Sequence, residues 1–263
     1  MVTVYIASFN RASDGALEHL QKELKKKEML VHDPFYADYI LACGDRTETF
    51  DFVLKWWRIN KKIIHLWAGE ISQGTHDEVY RHAMTMMSDV QLCTDDTAVF
   101  RVESLCSSID KKPNAHVVGN VFADDLTVKE ELPDEKYVLV LYNPPTRLSK
   151  EEIQKEIDTI SETVKQLNLD IVWIEPNGDY QSELLEPYFN AYNFDRPKFL
   201  GLLKNCEYFI TNSSCQYYEA PFFLAPEQII SIGERNKDRE TKYADVTKTG
   251  ATEKIIKILD GLK

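Results

Sequence analysis

From Ile64 to Cys93 the chain reads IHLWAGEISQGTHDEVYRHAMTMMSDVQLC, and ionisable side chains crowd its middle: His65, Glu70, His76, Asp77, Glu78, Arg81 and His82. Carboxylates and imidazoles gathered in one place can do general acid and base work, provided burial or neighbouring charge tunes them. Asp45, which follows an earlier apolar run, joins this group if the two runs are adjacent parallel strands. Neighbouring carboxyl-end loops then lie together, where open α/β sheets bind their ligands. Plainer accounts exist. Asp45 suits a helix cap, and Asp77 and Glu78 suit the positive end of a helix dipole. His65, His76 and His82 form no three-ligand pattern, so neither a metal nor another cofactor is expected.

Two other stretches suit an anion. Arg11 follows a strand-like run and stands beside a helix start. Asn212-Ser213-Ser214 brings hydroxyls and backbone N–H groups to another helix start. Both patterns fit a phosphate, although capping by Ser213 or Ser214 is the simpler account of the second.

The elements that must hold these groups follow from periodicity. Strands are expected at 2–7, 39–43, 64–66, 90–93 and 115–119, and again at 137–141, 171–174, 207–211 and 228–232. Helices are expected between them, including 14–27, 50–57 with Phe50, Val53, Leu54 and Trp57 inward, 97–106, and 182–189. A long amphipathic helix follows Ser149, and a last helix covers 252–262. Asn143-Pro144-Pro145 ends its strand abruptly, because proline cannot donate the next hydrogen bond. The acidic, irregular stretch 120–135 is the expected crossing, dividing 1–125 from 126–263. About five strand–helix steps on each side point to two Rossmann-like halves around a central cleft.

Composition sets bounds. The chain has 263 residues, 43% of them hydrophobic, enough for two cores. A net charge of −12 with no long basic stripe argues against a nucleic-acid partner. Five cysteines without close pairing, and no secretory leader, predict reduced thiols and a cytoplasmic protein. No apolar run reaches the length of a membrane span, so no membrane partner is expected.

The chain resembles the hydrolysing UDP-N-acetylglucosamine 2-epimerases of the sialic-acid-pathway branch, which have the two-domain GT-B fold. That family's central loop reads roughly H-x-x-G-G-E-x-T-x-G-x-x-D-[DE]-x-x-R-H-A-x-x-K-x-S. The stretch from His65 to Ser88 matches it at Glu70, Asp77, Arg81 and His82. The family's G-D-R matches Gly44-Asp45-Arg46, its P-N-x-D matches Pro176-Asn177-Gly178-Asp179, and its N-S-S-x-x-x-x-E-A-P matches Asn212 to Pro221. Its I-G-x-R-x-x-x-R matches Ile232, Gly233, Arg235 and Arg239, and its G-T-R corresponds loosely to Phe9-Asn10-Arg11. These matches fall in family order over nearly the whole chain.

The resemblance implies an α/β, GT-B-like enzyme acting on a UDP-N-acetylhexosamine. A base removes the proton from sugar carbon 2 as the nucleotide leaves carbon 1. Water then adds to the glycal, giving the free 2-epimerised sugar. Asp45, Glu70 and Asp77 are the carboxylates for this, with base and acid unassigned among them. Arg11, Ser213, Ser214, Glu219 and Arg235 are implied for the nucleotide, Glu219 on the ribose hydroxyls. Arg81, His82, Asn143, Asn177, Asp179 and Arg239 are implied for positioning the substrate, and a homodimer is the expected assembly. The departures are specific. The chain is shorter than a usual member between Arg11 and Gly44. Asn143 replaces a family histidine, Ala68 a glycine, Asn236 a glutamine and Asp238 a glycine. A nucleotide-sugar binding protein without turnover, or a glycosyltransferase on the same scaffold, are the alternatives.

Overall fold

The apolar runs become short strands, and every strand pair is parallel. In the computed structural model all residues are described except Asn10, Leu132, Asp179, Tyr192, Asn193, 240–247 and Lys263, together with the side chains of Arg11, Ala12 and Ser13. The chain forms two compact units: Met1–Ile71, Asp77–Asp125 and Ala244–Lys263 make the first, Ser72–His76 and Leu126–Tyr243 the second.

In the first unit, β1 (Val4–Ala7), α1 (Arg11–Lys26), β2 (Tyr39–Cys43), α2 (Thr47–Trp57), β3 (Lys62–Leu66), α3 (Asp77–Met87), β4 (Val90–Cys93), α4 (Asp96–Ser107) and β5 (Ala115–Val117) follow one another. The strands lie in the order β1-β2-β3-β4-β5. Side chains alternate across the sheet. Val4, Leu41, Ile64, Leu66 and Leu92 pack with Leu17, Leu20 and Leu24 of α1 on one face. Ala7, Ile40, Ala42 and Ile63 pack with Val53 of α2 and Met84 of α3 on the other. After α1 the chain first bridges the outer edge of β1, where Leu30 pairs in parallel with Val4, and then crosses back to β2, so α1 and α2 serve connections that run in opposite directions. Cys93 packs with Ala98 and Val102 of α4, on the face of α2 and α3. The placement of α1 on the opposite face is therefore what right-handed connections require.

The last helix, α8 (Ala251–Gly261), packs Ala251, Ile255, Ile256 and Leu259 into this same unit. The expected second domain of 126–263 is corrected accordingly: its C-terminal segment returns to the first unit. Asp124 fixes that return. Its carboxylate accepts from the N–H groups of Gly250 at 2.6 Å, Ala251 at 3.2 Å and Thr252 at 2.6 Å, satisfying the start of α8. Asp124→Ala should lower unfolding stability by about 2 kcal/mol, read as a shifted urea midpoint with an unchanged slope.

In the second unit, β6 (Tyr137–Leu141), α5 (Lys150–Leu167), β7 (Asp170–Trp173), α6 (Arg196–Asn205), β8 (Tyr208–Thr211), α7 (Cys215–Tyr218) and β9 (Ile229–Ser231) build a sheet of order β7-β6-β8-β9. Ser149 and Glu152 form a capping box at the start of α5, and Ile153, Ile157 and Ile160 are buried. α5 and α6 cover opposite faces, as right-handed connections running in opposite directions require.

Two local expectations are corrected. In α2 the buried positions are Thr49, Val53 and Trp56, while Trp57 is 46% exposed. Phe50 packs against the edge of this core and stacks on Tyr80 of α3. The helix expected at 182–189 is a short 3-10 turn, Ser182–Leu185, because Pro187 disfavours helical geometry at the residue before it. Among the described residues, no helix is long and apolar enough to cross a membrane.

Candidate functional site

In the first unit the ends of β2 and β3 carry a charged cluster. Arg81, only 4% exposed, pairs with Asp45 and sets a second nitrogen 3.1 Å from Glu78. Glu78 also meets His82 Nε2 at 2.8 Å. The three come together because β2 and β3 pair in parallel, which brings Gly44-Asp45 beside the face of α3. Arg81, Glu78 and His82 lie one turn apart on that helix, the spacing at which side chains meet.

Glu70 is nearly buried at 9% exposure, and the turn that delivers it depends on Gly69. Gly69 has φ of +76°, and a Cβ there would lie 2.2 Å from the Ala98 carbonyl oxygen. Only glycine permits both the angle and the approach. Arg101 of α4 also donates to the Gly69 carbonyl. Burial first, and the negative charges of Glu70 and Asp95 next, push the Cys93 thiol well above its ordinary range, which places the Glu70 carboxylate near the end of β4. Asp77 is the first residue of α3.

His65 sits beneath this cluster, fully buried. Its Nε2 is 2.9 Å from the Gly44 carbonyl and its Nδ1 3.1 Å from the Thr85 hydroxyl. The carbonyl can only accept, so Nε2 carries the proton, and the single Thr85 hydroxyl proton is shared between Nδ1 and the Arg81 carbonyl, 3.0 Å away. Burial lowers the His65 pKa to about 4, opposed by the bond to Gly44 and assisted by His82. The neutral ring therefore adds stability above its unfolded pKa near 6.5. That stability is lost as the pH falls from there towards about 4, by about 3 kcal/mol in all. An NMR titration should show the His65 ring neutral at pH 5.5, where exposed histidines are already charged.

In the second unit a ring of amides joins the strand ends. The Asn143 N–H donates to Asn212 Oδ1 at 2.9 Å, and the Asn143 carbonyl accepts from Asn212 Nδ2 at 2.7 Å. That carbonyl also accepts from Arg235 at 3.2 Å, while Asn143 Oδ1 accepts from the Asn177 N–H at 2.9 Å. Asn236 Nδ2 donates to the Asn212 carbonyl at 2.7 Å. Asn143 and Asn212 are 2% and 1% exposed. They stand at the carboxyl ends of β6 and β8, where the sheet order reverses, the crevice in which open α/β sheets take ligands. Asn143, named from the sequence for substrate, is here the knot that ties β6, β7, β8 and the loop after β9 together.

A cleft of 470 Å³ opens in this unit beside Arg235, lined also by Gly74, Arg147, Lys155, Glu156 and Lys237. Gly74 donates to the Arg235 carbonyl at 3.3 Å, and a Cβ there would lie 2.4 Å from the Arg235 Cα. Arg147 donates to the Gln73 carbonyl at 2.6 Å. Burial raises the Glu156 pKa, against a 2.6 Å bond from the Tyr142 hydroxyl.

The remaining sequence-named residues fall as follows. Ser213 and Ser214 precede α7, which has only four residues. The Ser213 hydroxyl accepts from Cys215 N at 3.4 Å. Arg239 lies over the rings of Tyr217 and Tyr218, 5.9 and 5.4 Å from their centroids. Asp179 and the side chain of Arg11 lie outside the described residues. The three named carboxylates belong to the first unit, and Ser213, Ser214, Glu219 and Arg235 to the second. Sequence reasoning passed over Asn212 as a tie, Glu78 as the bridge between Arg81 and His82, and Arg196, whose Nε is 3.0 Å from Glu219. Glu78 was the recoverable one, since its spacing to Arg81 and His82 is helical.

The family described as UDP-N-acetylglucosamine 2-epimerase matches residues 10–263. A Campylobacter jejuni protein named GDP/UDP-N,N'-diacetylbacillosamine 2-epimerase (hydrolyzing) is 28% identical, over 77% of this chain and 58% of its own length. A Neisseria meningitidis UDP-N-acetylglucosamine 2-epimerase is 26% identical, over 80% of this chain and 59% of its own. The chain thus spans a little over half the length of the curated relatives it matches. The solved structure of a Neisseria meningitidis UDP-GlcNAc 2-epimerase bound to UDP-GlcNAc has a TM-score of 0.69 at 13% identity, covering 99% of both chains. That likeness is one of fold, α/β and GT-B-like.

Proposed function

We propose that this chain, which belongs to the UDP-N-acetylglucosamine 2-epimerase family, is a hydrolysing 2-epimerase of UDP-N-acetylhexosamines. It converts UDP-N-acetylglucosamine and water into UDP and free N-acetylmannosamine. The observation that carries the reading is the acid, base and guanidinium cluster at the ends of β2 and β3: Asp45, Glu78 and Arg81 in contact, with Glu70 delivered by Gly69 on the same edge. In the first step a carboxylate takes the proton from sugar carbon 2, the C1–O bond breaks, and its electron pair leaves with UDP. A glycal remains. Water adds its oxygen to carbon 1, and a carboxyl group returns a proton to carbon 2 on the opposite face. The proton transfers are assigned to the carboxylates of the family motif, Asp45, Glu70 and Asp77, with base and acid open among them.

The nucleotide is assigned to the second unit, with Ser213, Ser214 and Arg235 around the diphosphate and Glu219 on the ribose. Arg11, in the first unit, is the further nucleotide candidate that the resemblance names. Arg81 and His82, with Asn143, Asn177, Asp179 and Arg239, position the substrate or the loops that hold it. The relatives named for N,N'-diacetylbacillosamine support a UDP-N-acetylhexosamine substrate class broader than N-acetylglucosamine itself.

One observation favours a second reading, a nucleotide-sugar binding protein without turnover. The position of the family's histidine is taken by Asn143, whose backbone and side-chain oxygen are engaged by Asn212, Asn177 and Arg235. A proton NMR assay in deuterated water separates the two. An epimerase yields UDP and free N-acetylmannosamine carrying deuterium at carbon 2. UDP binding with no sugar release would support the binding protein.

A further inference from the structure

Glu219 is 5% exposed and stands between α7 and the 3-10 turn Ala220–Phe222. A carboxylate so deeply buried needs a charged partner, and it has one in Arg196. The Nε of Arg196 meets Glu219 Oε1 at 3.0 Å, with the two side chains 10% and 6% exposed. The placement of each is rigid. Arg196 opens α6, where Asp195 caps the helix by accepting from Lys198 N and Pro197 fixes the first turn. The Pro197 carbonyl accepts from Lys129 N at 2.9 Å, and Gly201 lies against the Lys129 carbonyl, so the helix cannot shift. On the other side, Glu219 N donates to the Cys215 carbonyl at 2.9 Å.

We infer that Arg196 is a positioning and specificity-determining residue, holding the Glu219 carboxylate as an acceptor for the two adjacent hydroxyls of a nucleotide ribose. This rests on the nucleotide reading of Glu219 given above. An ionised carboxylate has acceptor sites for about four donors, and the arginine Nε contact takes one. A vicinal diol then fits the remainder. A protonated carboxyl loses acceptor capacity and gains a donor. It therefore grips the diol less well.

The environment states what Arg196 opposes. Burial raises the Glu219 pKa, and the charge and hydrogen bond of Arg196 pull it back. The groups facing Glu219 among the described residues are Arg196 from α6 and the buried Cys215 thiol from α7, which Glu219 itself pushes up. Arg239 is spent on the rings of Tyr217 and Tyr218. Without Arg196, burial acts unopposed and the Glu219 carboxyl holds its proton to higher pH than it does beside the guanidinium.

The test is calorimetric binding of UDP and 2'-deoxy-UDP to the full chain between pH 6 and pH 9. Wild-type protein should prefer UDP by about 10–100-fold, a hydrogen bond to a charged group, with little change across that range. Arg196→Met should lose the preference at pH 6 and recover part of it by pH 9. Arg196→Lys should keep it, and Glu219→Gln should lack it at every pH. Arg196→Gln is the second neutral variant if Arg196→Met does not fold. Neutral variants that discriminate like wild type, or that lose discrimination equally at all pH values, overturn the role of Arg196 alone. Wild-type protein that binds both nucleotides equally overturns the ribose reading of Glu219 and this inference with it.

Discussion

Glu70→Gln and Asp77→Asn should each abolish turnover of UDP-N-acetylglucosamine while leaving UDP affinity nearly unchanged. Each substitution keeps the approximate shape of the side chain and removes its capacity to exchange a proton. General acid–base catalysis is worth about 10²–10⁴-fold in rate, so a loss of that size in sugar release is expected. The nucleotide contacts are assigned to the other unit, which is why affinity for UDP should hold. For Asp77 the competing account is a helix-start carboxylate on α3. Its loss would then cost about 0.5–2 kcal/mol of stability, with the folded fraction still turning over. Glu70 has a second test in its support. Gly69→Ala puts a Cβ into the Ala98 carbonyl and forces φ of +76° on an alanine, displacing the peptide that carries Glu70. It should lower turnover as far as Glu70→Gln does, but with a loss of thermal stability that Glu70→Gln does not share. Glu70 and Asp77 variants turning over at near wild-type rates would remove both from the mechanism.

What the sequence revealed was local. The runs YILAC, VQLC and YVLVL have the apolar, β-branched character of strands covered on both faces, and they became β2, β4 and β6. The Ser149 cap was legible because its partner Glu152 is three residues away. What depends on distant pairs was not legible. Asp124 and the start of α8 are far apart in sequence, so nothing in either segment announced that the C-terminal helix closes the first unit. Helical periodicity gives the buried stripe of α1 but not the face of the sheet it covers. The candidate site divides likewise. Arg81, Glu78 and His82 share a helix face and a short spacing, so their meeting could be read from α3 alone. Arg196 and Glu219 come from different helical segments, and they share one end of the sheet because both follow the carboxyl ends of parallel strands, β7 and β8. Asn143 shows a further limit. Residue type gave its position in a motif, while its work as a tie between Asn177, Asn212 and Arg235 depends on three neighbours from other strands.

Arg81→Met should be among the most destabilising substitutions in the first unit, by about 3–5 kcal/mol, the cost of removing one partner from a buried ion pair. The guanidinium is 4% exposed and serves two carboxylates, Asp45 from the end of β2 and Glu78 from its own helix. Its loss leaves both negative charges next to each other with little solvent to separate them. Arg81→Lys retains a charge but offers a single ammonium where a planar fork spans two acceptors, so it should recover only part of the loss. The triple variant Arg81→Met, Asp45→Asn, Glu78→Gln removes the whole cluster and should be more stable than Arg81→Met alone, since no charge is then left uncompensated. Urea unfolding of the three proteins measures this order. The alternative, that Arg81 mainly contacts substrate, predicts the opposite pattern: an Arg81→Met protein within about 1 kcal/mol of wild type, the size of an ordinary exposed substitution, with turnover lost and UDP-N-acetylglucosamine binding weakened. The burial of Arg81 favours the first outcome. If it holds, the arginine of the family motif acts on the reaction indirectly, by fixing Asp45 against α3 and so setting the edge of the site on which Glu70 and Asp77 must act.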